Sequence, residues 1–258
     1  MSMTCSTCDK QNGCSNVNFG MEKIKDRHVL VTGATGSIGE AIVAQLAASG
    51  AVLYITGRNR ERLEQVAQQH KIPAERAFVT DLGQTGEIQV MMDAIHRQTP
   101  ALDILINAAG IGIIKPFEQL TRDELMRTMV VNFLGVFSLL QQALPPMKQR
   151  GRGIIINIPG VLGKTPMAGA TAYAASKYAL NGFMKSLREE LKRTEIRITQ
   201  LFLGGVDSRF WDNIDLRVQR DKMIVAAEAA RAVWFLCQQP ESGVVSEMVL
   251  QPFNHQAI

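Results

Sequence analysis

Tyr173 and Lys177 lie four residues apart in Thr171-Ala-Tyr-Ala-Ala-Ser-Lys177. On a helix, positions i and i+4 share a face. An ammonium beside a phenol favours the phenolate and lowers the phenol pKa from its usual value of about 10. A phenol tuned that way can exchange a proton with a substrate oxygen near neutral pH. By itself the same pair also fits an ordinary exposed helix face. Its chemical reading rests on a second feature far upstream, the run Thr32-Gly-Ala-Thr-Gly-Ser-Ile-Gly39. Glycines there can seat a dinucleotide, beside which the tyrosine and lysine can move a proton.

The elements that must position these residues are legible as an alternation. Apolar runs at 28–32, 52–56, 77–80, 102–107, 153–158, 197–202 and 244–250 read as strands. Helical spacing separates them at 38–48, 61–69, 88–97, 121–144, 173–191 and 226–237. The long helix over 121–144 is predicted to stop at Pro145-Pro146. Such alternation implies an α/β fold, a doubly wound parallel sheet of about seven strands with helices on both faces, in one domain over 25–258. A chain of 258 residues can bury a core of that size.

The glycine run falls between the first strand and the first helix, as a dinucleotide site requires. Gly33 permits a tight turn, and Gly36 or a neighbour lets the backbone approach a pyrophosphate. Gly39 allows close helix packing. The free N–H groups of the helix start then face the phosphates, with Thr35, Ser37 and Ile38 alongside. After the second strand, in Thr56-Gly-Arg-Asn-Arg60, no acid precedes Glu61. An acid there would bind the ribose hydroxyls of NAD. Arg58 can instead pair with the 2′-phosphate of NADP, with Arg60 as a helper. NADP(H) is therefore the preferred reading over NAD(H); solvated arginines on the next helix are the alternative. Asp81, after the third strand, either bonds the adenine or caps the following helix.

Together these residues resemble the short-chain dehydrogenase/reductase family, from about Asp26 to the last strand. The marks are the glycine run, Asp81-Leu82, Asn107-Ala108-Ala-Gly110, Asn132 in Val131-Asn-Phe, and Tyr173-x-x-x-Lys177. The resemblance implies a Rossmann-type fold and an NAD(P)-dependent enzyme acting on CH–OH or C=O groups. It implies Tyr173 as general acid/base and Lys177 as the group that lowers its pKa and bonds the nicotinamide ribose. It implies Asn132 as holder of a relay water; a buried polar residue bonding backbone is the alternative. Asn107 and Gly110 would support the sheet beside the cofactor. Gly204, Val206 and Ser208 would meet the carboxamide, Ser208 through its hydroxyl.

Three departures from the family pattern stand out. The catalytic serine of the family lies thirteen residues before the tyrosine, which is Gly160 here. Losing one oxyanion donor can cost on the order of a hundredfold or more in rate. Thr165, a backbone N–H or a substrate group would have to replace it, or carbonyl reduction is weak. The G-x-x-G-x-x-G spacing is closer to that of a longer, sugar-nucleotide-acting branch, whose added C-terminal domain is missing here. Leu203-Gly204 replaces the family's proline-glycine.

Composition narrows the partners. The net charge of +4 is modest and its basic residues are scattered, which argues against nucleic acid. No uninterrupted apolar segment of about 18 residues suggests a membrane span, and no signal pattern opens the chain, so a cytoplasmic protein is expected. Residues 1–24 read as a polar, flexible extension carrying Cys5, Cys8 and Cys14. These thiols fit a metal or redox site, but no histidine completes a zinc set, and incidental thiols are the favoured reading, with no metal assigned. Cys237 fits a core position. The expected partners are a small, apolar carbonyl or alcohol substrate and further copies of the chain, as homodimer or homotetramer. A cofactor-binding sensor or assembly protein, and a dehydratase or isomerase on the same scaffold, remain the competing functions.

Overall fold

Strand β1 (His28–Thr32) is an interior strand of the sheet and is apolar on both faces. Val29 and Val31 point to one side and Leu30 to the other, and all three are fully buried. The computed structural model describes residues 23–254 except Asp215 and Glu241. After β1 come α1 (Ser37–Ala48), β2 (Val52–Gly57), α2 (Arg60–Gln69), β3 (Ala77–Val79), α3 (Thr85–His96) and β4 (Ile104–Asn107). The second half holds α4 (Arg122–Met129), α5 (Gly135–Arg150), β5 (Arg152–Asn157), α6 (Thr171–Leu191) and β6 (Glu195–Leu203). The short pair β7 (Val206–Asp207) and β8 (Ile224–Val225), α7 (Ala226–Leu236) and β9 (Glu247–Leu250) complete it.

The main sheet has seven strands in the order β3-β2-β1-β4-β5-β6-β9, all parallel. The order reverses between β1 and β4, and a crevice opens beyond the strand ends there. Helices α1, α2 and α7 cover one face with Ile42, Leu46, Val66 and Val233. Helices α3, α5 and α6 cover the other with Met92, Leu139, Met184 and Leu187. Each such side chain contributes roughly 1.5–3 kcal/mol by leaving water. Ile24, within the segment read as an extension, is buried in the first of these layers.

The predicted stop at Pro145-Pro146 is not observed. Helix α5 runs through both prolines to Arg150 and ends on Gly151 at φ 84°. Leu140, Ala143 and Met147 keep one face buried on either side of the prolines. Pro145 lies on the exposed face, and the carbonyl it leaves without a helical donor, that of Gln141, belongs to an exposed residue. Tertiary packing therefore overrides the local break. The continuous run 122–150 is long and apolar enough to cross a membrane by length and composition. Its apolar face is nevertheless built into the core beside α3 and α6.

Candidate active site

Beyond the ends of β1, β2 and β4 lies an open cleft of about 230 Å3. Gly33, Thr35, Gly36, Arg58, Asp81, Leu82, Ala108 and Gly110 line it, all singled out by sequence. Ile111, from the 111–117 loop expected to build the substrate pocket, lines it too, and so do Thr56, Gly57, Thr80, Ala109 and Val131, without having been expected. Small or apolar residues next to a motif carry no signal of their own, so only the fold could reveal them.

The glycine turn is set by close backbone approach. Gly33 has φ +68°, and a Cβ on it would lie 2.7 Å from the Ala109 Cα. A Cβ on Gly39 would lie 2.1 Å from the Gly33 carbonyl oxygen. Gly36 is the residue before α1, and a Cβ there would meet only that same carbonyl, at 3.3 Å. The turn thus leaves room above the first N–H groups of α1, a cradle that fits a phosphate. Ser37 and Ile38 form the first turn of α1; Ile38 faces the core.

Arg58 is exposed at the cleft rim and makes no ion pair among the described residues. Arg60 pairs with Glu64 at 3.7 Å instead. The residues present fit a nicotinamide dinucleotide. Asp81 Oδ1 accepts from the Gly83 N–H at 2.9 Å, so it organises the turn leading into α3 while lining the cleft.

Tyr173 and Lys177 lie on the first turns of α6, one helical turn apart. The Lys177 ammonium sits over the Tyr173 ring, 5.5 Å from its centroid, and is 3.4 Å from the Ile158 carbonyl. Burial pushes the Lys177 pKa down to about 8 and the Tyr173 pKa up to about 12. This corrects the expectation of a phenol tuned downwards. Desolvation of the buried pair is the cause of both shifts.

Asn132 is fully buried, in a π-helical turn (Val130–Leu134) that joins α4 to α5. Its Oδ1 accepts from the Ile111 N–H at 2.8 Å, and its Nδ2 donates to the Ile111 carbonyl at 2.9 Å. The same Nδ2 donates to Ser176 Oγ at 2.9 Å, and Ser176 Oγ donates to the Tyr173 carbonyl at 2.7 Å. The side chain bonds the backbone at Ile111 on both sides of its amide. It holds the cleft wall at Ile111 and, through Ser176, the start of α6. Ser176 lies inside the motif, but its bond to Asn132 spans 44 residues and has no local signal.

Asn107 lies beneath the cleft, in register with Thr32 on β1 and Asn157 on β5. The amides of Asn107 and Asn157 are buried without a hydrogen-bond partner. Gly160 follows β5 with φ 71° and ψ 167°. A Cβ there would lie 3.9 Å from the Tyr173 hydroxyl. Position 160 therefore does face the phenol, but with a backbone that only glycine adopts readily.

Gly204 packs on Pro252, where a Cβ would be 2.7 Å from the proline ring. Val206 and Ser208 are buried at β7, and the Ser208 carbonyl accepts from Arg220 at 3.1 Å. Past them, the Phe210 ring lies 5.6 Å from that of Tyr173. Among the described residues no group of three or more His, Cys, Asp and Glu could hold a metal. Cys5, Cys8 and Cys14 lie outside the described residues. Cys237 is buried in the core, and burial pushes its thiol pKa up.

The family model for short chain dehydrogenases matches residues 27–218. An uncharacterized oxidoreductase of Staphylococcus epidermidis is 32% identical over 232 residues, covering 90% of this chain and 100% of that protein. A metagenomic short-chain oxidoreductase solved with NADP is 28% identical, with a TM-score of 0.77 over 90% of this chain and 99% of that one. The fold is also that of an alcohol dehydrogenase from Thermococcus sibiricus solved with 5-hydroxy-NADP. There the TM-score is 0.80 at 24% identity, over 91% of this chain and 100% of that one. By this match and these relatives, the chain belongs to the short-chain dehydrogenase/reductase family of NAD(P)-dependent oxidoreductases.

Proposed function

We propose that this protein is an NADP(H)-preferring oxidoreductase acting on a carbonyl or secondary alcohol of a small, apolar substrate. The observation that carries this is a glycine-lined cleft with Arg58 on its rim and Lys177 beside it, where a Cβ on the cleft residue Gly110 would lie 3.3 Å from Lys177 Nζ and the same Nζ sits over the Tyr173 ring. The naming of NADP in similar solved structures supports the cofactor preference. When bound, the nicotinamide supplies or takes the hydride.

The chain's own residues do the rest. The turn at Gly33, Gly36 and Gly39 and the start of α1 hold the pyrophosphate. Arg58 pairs with the 2′-phosphate. Asp81, Leu82 and Ala108 border the cleft, and Gly204, Val206 and Ser208 close it towards the nicotinamide end. Lys177 bonds the ribose and stabilises negative charge on Tyr173. Tyr173 gives its proton to the substrate oxygen in reduction and takes it back in oxidation. Its high pKa at rest suits the donor role. Asn132 keeps Ile111 and α6 in place rather than touching the reacting atoms.

Ile111, Phe210 and Trp211 give the reacting half an apolar wall. Leu134, Phe137 and Tyr178, exposed between α4 and α5, on α5 and on α6, suit a homodimer or homotetramer formed through the long helices. Cytoplasmic residence belongs to the same reading.

The decisive experiment screens carbonyl compounds with NADPH and with NADH, following loss of nicotinamide absorbance, with Tyr173→Phe as control. Turnover with NADPH that collapses in the control is the expected result. Turnover equal in both proteins would overturn the role of Tyr173 as proton donor. Dinucleotide binding with no turnover of any carbonyl would leave a sensor or assembly protein.

A further inference from the structure

Residues 208–213, after β7, touch both halves of the cleft. Arg209 donates from Nη2 to the Thr35 carbonyl at 2.8 Å and to Glu40 Oε2 at 3.2 Å. Its backbone N–H donates to Ser37 Oγ at 3.1 Å. Glu40 is held in turn by Arg62 of α2, at 2.8 Å. One residue is thus pinned at three points to the turn and first helical residues that would carry the pyrophosphate.

The next residue crosses to the reacting half. The Phe210 ring lies against that of Tyr173 and rests directly on Gly112, where a Cβ would sit 2.1 Å from Phe210 Cε2. Trp211 then packs edge-on against Phe210, with centroids 5.1 Å apart, and its indole N–H donates to the Val206 carbonyl at 2.9 Å. Consecutive Cα atoms are about 3.8 Å apart across a rigid peptide. Arg209 therefore cannot shift on the glycine turn without moving Phe210 over Tyr173.

We propose that Arg209 is a positioning residue that couples the dinucleotide turn to the Phe210 cap over Tyr173. The inference rests on the dinucleotide reading of the cleft. Ser37 and the backbone at Thr35 are groups that an anionic pyrophosphate engages, and both are bonded to Arg209. Seating the dinucleotide resets these bonds, and the strap passes the change to Phe210. A single guanidinium nitrogen, Nη2, holds Thr35 and Glu40 at once. Glu40 keeps that guanidinium on the helix side of the turn, as an anchor for the strap. Coupling of this kind is reciprocal, so a ligand under Phe210 also strengthens dinucleotide binding.

The chain carries its own reporter, because Trp211 and Trp234 are its two tryptophans. In a Trp234→Phe background, Trp211 emission is followed during titration with NADP+, whose oxidised ring does not absorb that emission. Calorimetry gives the affinity in parallel. The expected result is an NADP+-dependent change in Trp211 emission that is lost in Arg209→Ala, while the dissociation constant moves by less than roughly fivefold. Arg209→Gln removes the charge but keeps a polar side chain and loses the response as well, which covers the case of an alanine variant that fails to fold. An unchanged Trp211 response in these variants overturns the coupling. So does a loss of affinity on the order of a hundredfold, which would make Arg209 a direct phosphate ligand. Absence of NADP+ binding to the unmutated protein sinks the dinucleotide reading itself, a different failure.

Discussion

Around the dinucleotide turn the cleft takes its shape from absent side chains, whereas around Tyr173 it takes its shape from side chains that reach between distant elements. Two glycines make the contrast concrete. Gly33 and Gly160 both have positive φ, +68° and +71°. At Gly33 a Cβ would also collide with the backbone of Ala109. At Gly160 the nearest atom to a Cβ would be 3.5 Å away. The first glycine is required by space and by backbone, the second by backbone alone. In the reacting half, order comes instead from bonds such as Asn132 to Ile111 and Ser176, and from Phe210 on Gly112.

If that contrast holds, damage in the reacting half should strike chemistry first. Tyr173→Phe removes the proton donor and should lower turnover by about 100- to 10,000-fold while leaving dinucleotide affinity nearly unchanged. Comparing kcat with calorimetric binding checks it. A large loss of affinity would mean that the halves are not separable at this residue.

Damage in the dinucleotide half should strike folding. Gly39→Ala gains about 1 kcal/mol of helix propensity but forces a Cβ onto a backbone oxygen, so a net loss of roughly 2 kcal/mol or more is expected. Denaturant unfolding measures it. A neutral result would show that the turn can relax and that close approach does not define it.

The buried pair gives a pH signature. Lys177 titrates near 8 in the native protein and near 10.5 when exposed. Between these values the unfolded chain holds the proton and the native chain has released it, so this group makes stability rise with pH. The full difference is on the order of 3 kcal/mol. Tyr173 acts oppositely above pH 10, where the unfolded phenol ionises before the native one, at about 12. Melting temperature should therefore carry a rising contribution from about pH 8 to 10 that disappears in Lys177→Met. An identical profile in both proteins would refute the burial argument.

Arg58→Ala should weaken NADPH binding by roughly 1.5–3 kcal/mol and leave NADH binding unchanged. Calorimetry with both cofactors tests it, and equal losses would remove the basis for NADP preference. Gly160→Ser should have the smallest effect, a destabilisation of about 1–3 kcal/mol from backbone strain with no collision to add to it. Melting temperature and turnover are the readouts. A stable variant that reduces generic ketones faster would show that the turn accepts a side chain and that the missing hydroxyl limits the rate.

Much of the dinucleotide half was legible because its signals are local. A glycine with positive φ, a glycine against backbone and the absence of an acid after β2 are each read from a few neighbouring residues. Asn132 was legible as a motif residue, but its hydrogen-bond partners were not, because they lie 21 and 44 positions away. The phenol pKa was misjudged for a related reason. Helical spacing tells that Lys177 is near Tyr173, but not that both are desolvated or that the ammonium lies over the ring.

The amino-acid order by itself determined the alternating strands and helices, the place of the glycine turn at the head of α1, and the pairing of Tyr173 with Lys177 on one helix. These depend on periodicity and on backbone freedom, which act over one or two turns of chain. Tertiary structure alone decided that α5 continues through Pro145 and Pro146, that Asn132 holds Ile111, and that Arg209 and Phe210 bridge the two halves of the cleft. Each of these depends on burial and on contacts between segments far apart in the chain, and such energies exist only once the sheet has brought the segments together.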